Sequence, residues 1–211
     1  YLAEARISET ASSLQIQNAY ENAKNAYINA SRYNPYNPAI SLNLARLEVS
    51  QGKSAEAQRY IGTSLQLKNN YLDAIFLLSQ IQVAQGQIKD AIISVQVATQ
   101  INPENPSLFF QLGLLHYNDK NYQEAINTLN QAIKINNQYA NAQYFLGLSY
   151  ARINKIADAI IQFENLAKTN PENQEVGLIL SNLKSGKAIF ADAKPPIDAK
   201  PEKRTKLPIQ E

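Results

Sequence analysis

The chain has 211 residues, 45% of them hydrophobic and 18% charged, with 20 basic and 18 acidic side chains for a net charge of +2. So even a balance gives no electrostatic case for nucleic acid, which would want clustered Lys and Arg on one face, and the absence of Cys removes disulfides, thiol catalysis and thiolate metal sites. No apolar run approaches the roughly 20 residues of a membrane span, and no basic, then apolar, leader opens the sequence, so direct membrane insertion by this chain is not expected and its compartment stays open.

The predicted elements repeat. Ala23, Ala57, Ala91, Ala125 and Ala159 are each 34 residues apart, as are Pro35, Asn69, Pro103, Asn137 and Pro171. Between them lie the bulky Tyr27, Ile61, Val95, Leu129 and Phe163. Ahead of them lie Leu44, Leu78, Leu112 and Leu146, followed by Ala45, Ser79, Gly113 and Gly147. The period divides the chain into units near 4–37, 38–71, 72–105, 106–139 and 140–173. The first keeps Ala23, Tyr27, Ala30 and Pro35 but carries Thr10 where the others carry Leu, which leaves its first helix in doubt.

Each unit predicts two helices. In the fourth, Phe109, Leu112 and Tyr117 recur with helical spacing between Pro106 and Asn118, as do Tyr122, Ala125, Ile126, Leu129, Ala132 and Ile133. Asn118-Asp119-Lys120-Asn121 between them is a turn. Gly52 and Gly86 occupy its left-handed slot in earlier units, Asn154 in the next, and Lys120 is the uncomfortable exception. Asn37-Pro38 and Asn105-Pro106 start helices. Close approach of the paired helices requires small contact residues, so Gly113 is expected to face the Ala125 column and Gly147 the Ala159 column. Residues 174–190, with Val176, Ile179, Leu180 and Leu183, predict an amphipathic capping helix. Residues 191–211 hold four prolines and DAKP twice, and predict a flexible, Pro/Lys-rich disordered tail.

These columns resemble the tetratricopeptide repeat (TPR) family. The best matches are Phe109, Leu112, Gly113, Ala125, Leu129 and Ala132 in the fourth unit, and Leu146, Gly147, Tyr150, Ala159, Phe163 and Pro171 in the fifth. The resemblance implies an all-α, right-handed α-solenoid of about five helix pairs whose first helices line a concave groove. In the family, that groove usually holds a protein or peptide. The groove-facing column is then Leu42, Phe76, Phe110 and Tyr144, with Asn43, Arg46, Gln80, Gln111, Leu114, Phe145, Leu148, Arg152 and Asn182 around it. Two readings of this stripe stand side by side: an exposed interaction surface, or rings packed between neighbouring helices. Of the family's carboxylate-clamp positions only Asn43 and Arg46 fall near the right slots, and Phe76 and Phe110 replace polar residues. An extended, partly apolar segment therefore fits better than a chaperone C-terminal tail.

Catalysis has little to work with. The single histidine, His116, occupies an aromatic packing position, and one His without Cys makes neither a Cys-His pair nor an ordinary zinc site. Glu56, Asp90, Glu124 and Asp158 recur near second-helix starts, where the helix dipole favours them. No phosphate-cradling glycine motif occurs. The expectation is a non-enzymatic scaffold without cofactor or metal. Two other expectations remain. The weak first unit would suit a self-assembling homo-oligomer or filament, as would the Met-free sequence if its N-terminus is processed rather than the chain being a fragment. NPYNP at 34–38, the repeats and the tail ending KLPIQE resemble the C-terminal TPR region of bacterial membrane proteins of the O-antigen ligase type. On that reading the chain, which opens on Tyr1, is a piece of a longer one tethered to a membrane through a missing N-terminal part.

Overall fold

The computed structural model describes residues 13–193 and 207–209, which contain ten helices and no strand. They are α1 (Ser13–Tyr33), α2 (Pro38–Ser50), α3 (Ser54–Leu67), α4 (Leu72–Ala84), α5 (Ile88–Ile101), α6 (Pro106–Asn118), α7 (Tyr122–Ile135), α8 (Ala140–Arg152), α9 (Ile156–Thr169) and α10 (Gln174–Lys184). The helices α2, α4, α6, α8 and α10 all start in the 34-residue register. Local chemistry explains several starts. The Asn37 side chain accepts from the Ala39 N–H and Asn105 from the Ser107 N–H, both at 3.0 Å, each just before a proline that needs no hydrogen bond.

The ends share one device. Lys53, Gln87, Asn121, Lys155 and Lys187 donate their N–H back to the carbonyls of Glu48, Gln82, His116, Tyr150 and Asn182, a six-to-one closure. The residue before each donor is left-handed: Gly52 (φ 71°), Gly86 (φ 75°), Lys120 (φ 63°), Asn154 (φ 61°) and Gly186 (φ 67°). Lys120 therefore carries the strain expected of a side chain in that slot.

The chain divides into two compact units between Ser94 and Val95, within α5. In the first, α2 and α3 run antiparallel, and the Ser64 hydroxyl in the last turn of α3 donates to the Pro38 carbonyl at the start of α2, at 2.8 Å. Leu42, Ala45, Ala57, Ile61, Ala74, Leu77 and Ile81 make the core. The first unit departs from the expected helix pair: α1 runs unbroken through Asn18, the position 34 residues before the turn glycine Gly52. Neither glycine nor proline interrupts it there. The doubtful segment around Thr10 lies outside the described residues.

A polar cluster fixes α1 to α2. Glu48 is wholly buried, its Oε2 accepts from the Tyr20 hydroxyl at 2.9 Å, and its Oε1 lies 2.8 Å from Lys24 Nζ. Lys24 and Lys53 both donate to the Tyr20 hydroxyl, at 3.2 Å. Burial by itself would raise the Glu48 carboxyl, but the Lys24 and Tyr20 hydrogen bonds outweigh it and hold the group below its ordinary value. The same bond to Glu48 holds Lys24 above the usual lysine range.

In the second unit α6 pairs with α7, α8 with α9, and α10 covers α9. The small residues sit one turn from where the sequence placed them. A Cβ on Gly113 would lie 2.6 Å from Leu129 Cγ, and one on Gly147 2.7 Å from Phe163 Cε2. The glycines thus make room for the bulky column, while Ala125 and Ala159 are themselves fully buried. The aromatic rings interlock: Tyr144 meets Phe145 at 5.4 Å and Phe163 at 5.6 Å edge-on, and Tyr117 meets Phe145 at 5.5 Å. The capping helix is shorter than the expected 174–190, ending at Lys184 because Ser185-Gly186 turns the chain. Ile189 and Phe190 pack against the core without being helical. Among the described residues no helix is long and apolar enough to cross a membrane.

Candidate functional site

The second unit buries asparagines that hold main chain. Asn141, in the first turn of α8, is 1% exposed, a costly place for an amide unless all its groups are paired. It is paired with a residue 68 positions away: its Nδ2 donates to the Ile209 carbonyl at 2.8 Å, and its Oδ1 accepts from the Ile209 N–H at 3.1 Å. The side chain thus satisfies both polar groups of one peptide residue, as a neighbouring strand would.

Asn173 does a double duty. Its Oδ1 caps α10 by accepting from the Glu175 and Val176 N–H groups, both at 3.1 Å, which leaves its Nδ2 to donate to the Pro208 carbonyl at 3.0 Å. The starts of α8 and α10 therefore both reach the Leu207-Pro208-Ile209 segment. The Ile209 side chain, 3% exposed, belongs to the same apolar cluster as Tyr139, Ala140, Ala142 and Tyr144. Nearby on α8 and α10, the Tyr144 hydroxyl donates to the buried Glu175 carboxylate. Asn182 repeats the chemistry on 189–191, its Nδ2 donating to the Ile189 carbonyl at 3.1 Å and the Ala191 carbonyl at 2.7 Å.

This placement corrects the expected solvated tail at 207–209; the expectation for 194–206, 210 and 211 lies outside the described residues. Of the two readings of the stripe, burial favours packing between helices for its largest side chains. In the second unit Phe110, Tyr144, Phe145 and Leu148 are buried, Gln111 and Leu114 are half-buried, and Arg152 is exposed with its Nε 3.5 Å from the Tyr117 hydroxyl. In the first, Leu42 is buried, Asn43 and Phe76 are half-buried, and Arg46 and Gln80 are exposed. Arg46 reaches Asp73 at 3.8 Å. The reason is packing: Phe110 stacks at a tilt on Tyr139 at 5.1 Å, so the column closes gaps between helices.

No other constellation competes. His116 is half-buried with no hydrogen-bond partner on Nδ1, and burial pushes its pKa down against the opposing pull of Glu124 and Asp119. Among the described residues no group of three His, Asp or Glu side chains could hold a metal ion. A hollow of about 280 Å³ in the second unit is lined by Gln96, Thr99, Phe109, Leu112, Asn127 and Thr128, and none of these was a candidate from the sequence.

Sequence reasoning missed Asn141, Asn173 and Ile209. Asn173 had a signal, since it continues the cap column of Asn37 and Asn105; Asn141 had none, because Ala39, Asp73 and Ser107 stand at its position in earlier units.

Family models described as tetratricopeptide repeat match residues 14–63 and 42–106, and a TPR repeat model matches residues 119–154. No curated protein sequence matches the chain significantly. Among solved structures the chain is similar to YrrB, described as a TPR protein with an unusual peptide-binding site, at 20% identity and a TM-score of 0.66 over 78% of this chain and 84% of that one. A tetratricopeptide repeat protein from Parabacteroides merdae gives 19% identity and a TM-score of 0.66 over 82% of this chain and 67% of that one. The first TPR of Spaghetti (RPAP3), bound to the HSP90 peptide SRMEEVD, gives 20% identity and a TM-score of 0.52 over 55% of this chain and 91% of that one. The three models together span more than half of the sequence, the helices start in the 34-residue register, and solved TPR proteins share the fold: the chain belongs to the tetratricopeptide repeat family.

Proposed function

We propose that this chain is a protein-interaction scaffold whose second unit takes a peptide segment of a partner at the surface formed by the starts of α8 and α10. The observation that carries this reading is the two-point pairing of buried Asn141 with the main chain of Ile209. An amide that pairs with both polar groups of one residue reads backbone, and a backbone reader accepts any segment whose side chains fit the adjoining apolar pocket. YrrB and Spaghetti, similar in fold, are described with a peptide-binding site and a bound peptide, which supports a peptide as the ligand class.

The concave groove expected from the sequence enters as the path such a segment takes in the second unit. Gln111, Leu114 and Arg152 contribute accessible polar and apolar contacts there, and Phe110, Tyr144, Phe145 and Leu148 serve as the packed floor beneath. In the first unit Asn43, Arg46, Phe76 and Gln80 are the corresponding candidates above Leu42. The test is selection of linear peptides from a random display library on the chain with its site vacated by Ile209→Asp. A family of peptides whose binding falls when Asn141→Ala is added is the expected result. No enrichment, or binding untouched by Asn141→Ala in a folded chain, would overturn the proposal.

A further inference from the structure

We infer that Leu207-Pro208-Ile209 is a built-in ligand: it occupies the Asn141–Asn173 site in cis, and it defines the segment a partner presents to displace it, a proline followed by a branched aliphatic residue. The inference rests on the peptide-binding reading above and names the ligand of that same site.

Three features of the contact specify the ligand. Proline has no N–H, so placing Pro208 beside Asn173 leaves no donor to be satisfied, and its carbonyl accepts from the Asn173 Nδ2, which capping α10 through Oδ1 leaves available. The following residue presents both N–H and C=O to Asn141, so it cannot itself be proline. Its side chain is removed from water as part of the apolar core of the second unit, which favours Ile, Val or Leu over a polar or charged residue. Leu207 stays exposed and adds little. A Pro-Ile pair also occurs at 196–197, so the sequence itself carries the preferred dipeptide twice.

A segment held in cis competes at an effective concentration near millimolar, so if its own intrinsic affinity is roughly 100 μM, a partner peptide binds the occupied chain about ten-fold more weakly than the vacated one. The probe is a fluorescent hexapeptide of residues 206–211, KLPIQE, acetylated and amidated so that no terminal charge contributes, read by anisotropy. We expect it to bind the full chain carrying Ile209→Asp about ten-fold more tightly than the wild-type chain. Adding Asn141→Ala should remove binding, and a peptide with Asp in place of the isoleucine should not bind. Circular dichroism on each variant establishes that the helices persist. If Ile209→Asp unfolds the chain, Ile209→Ala and Pro208→Ala replace it as milder ways to loosen the segment. Equal affinity for wild type and Ile209→Asp would overturn cis-occupancy. So would failure of KLPIQE to bind the vacated chain. If library peptides of other sequence still bound there in an Asn141-dependent way, the peptide-binding reading would stand and the ligand assignment would fall.

Discussion

Replacing Glu48 with Gln tests whether the polar cluster, rather than apolar contact alone, holds α1 to α2. The wild-type carboxylate accepts from Tyr20 at 2.9 Å and lies 2.8 Å from Lys24 Nζ, with no exposure of its own side chain. Two hydrogen bonds to a charged acceptor contribute about 1.5–3 kcal/mol each, and a neutral amide recovers about 1 kcal/mol of that at best. Lys24 keeps 27% of its side chain in water, which softens the loss of its partner. The net cost is about 2 kcal/mol, or roughly 4–8 °C in melting temperature for a chain of this size. The folded pKa of Glu48 is depressed, so its stabilisation is fully present above the ordinary value of 4.5 and is lost as pH falls through the folded value. Thermal melts by far-UV circular dichroism should therefore show a gap between wild type and variant that is constant above about pH 5 and closes below it. A gap smaller than about 0.5 kcal/mol at neutral pH, or one indifferent to acid, would refute the assignment and leave Tyr20, Ala23 and Leu47 as the whole of the α1 contact.

Lys120→Gly should relieve the left-handed turn after α6 and add about 0.5–1 kcal/mol in urea unfolding, whereas a loss would mean the lysine side chain stabilises the turn. Phe110→Ala with Tyr144→Ala removes two buried rings at about 3–5 kcal/mol each, so the double variant should lose helicity in the second unit; a fully helical spectrum would contradict their placement in the core. The single histidine gives a clean NMR titration, and His116 should titrate below 6.5, with stability rising with pH across the interval between its folded value and 6.5 because the folded chain binds fewer protons there. A midpoint above 6.5 would place Glu124 and Asp119, not burial, in control.

The repeat was readable because each unit solves the same packing problem with the same residue types at the same spacing. Ala57, Ala91, Ala125 and Ala159 are all fully buried, and the left-handed slots fall at Gly52, Gly86, Lys120 and Asn154 as the turn chemistry required. Two helix bounds were missed. Asn18 stands where Gly52 stands one unit later, and only the missing glycine marked α1 as continuous. The expected capping helix to residue 190 passed over Gly186, whose left-handed turn, like those at Gly52 and Gly86, ends α10 at Lys184.

The candidate site was nearly invisible, for a physical reason. Periodicity reports what neighbouring helices need from one another, so it selected Leu42, Phe110 and Tyr144, which are core. The Asn141 contact spans 68 residues and occurs in one unit only, so no column could carry it. A Pro-rich, charged segment cannot build a core, yet one buried isoleucine and a few asparagine hydrogen bonds suffice to dock two of its residues, Pro208 and Ile209.

Amide hydrogen exchange at Ile209 is the most direct measurement of the central claim, since that N–H donates to the buried Oδ1 of Asn141. The account predicts protection at least about ten-fold above an unstructured peptide, comparable to a locally stable contact. It also predicts loss of that protection in Asn141→Ala while α8, α9 and α10 stay protected. Exchange of Ile209 at the unstructured rate in the wild-type chain would contradict it.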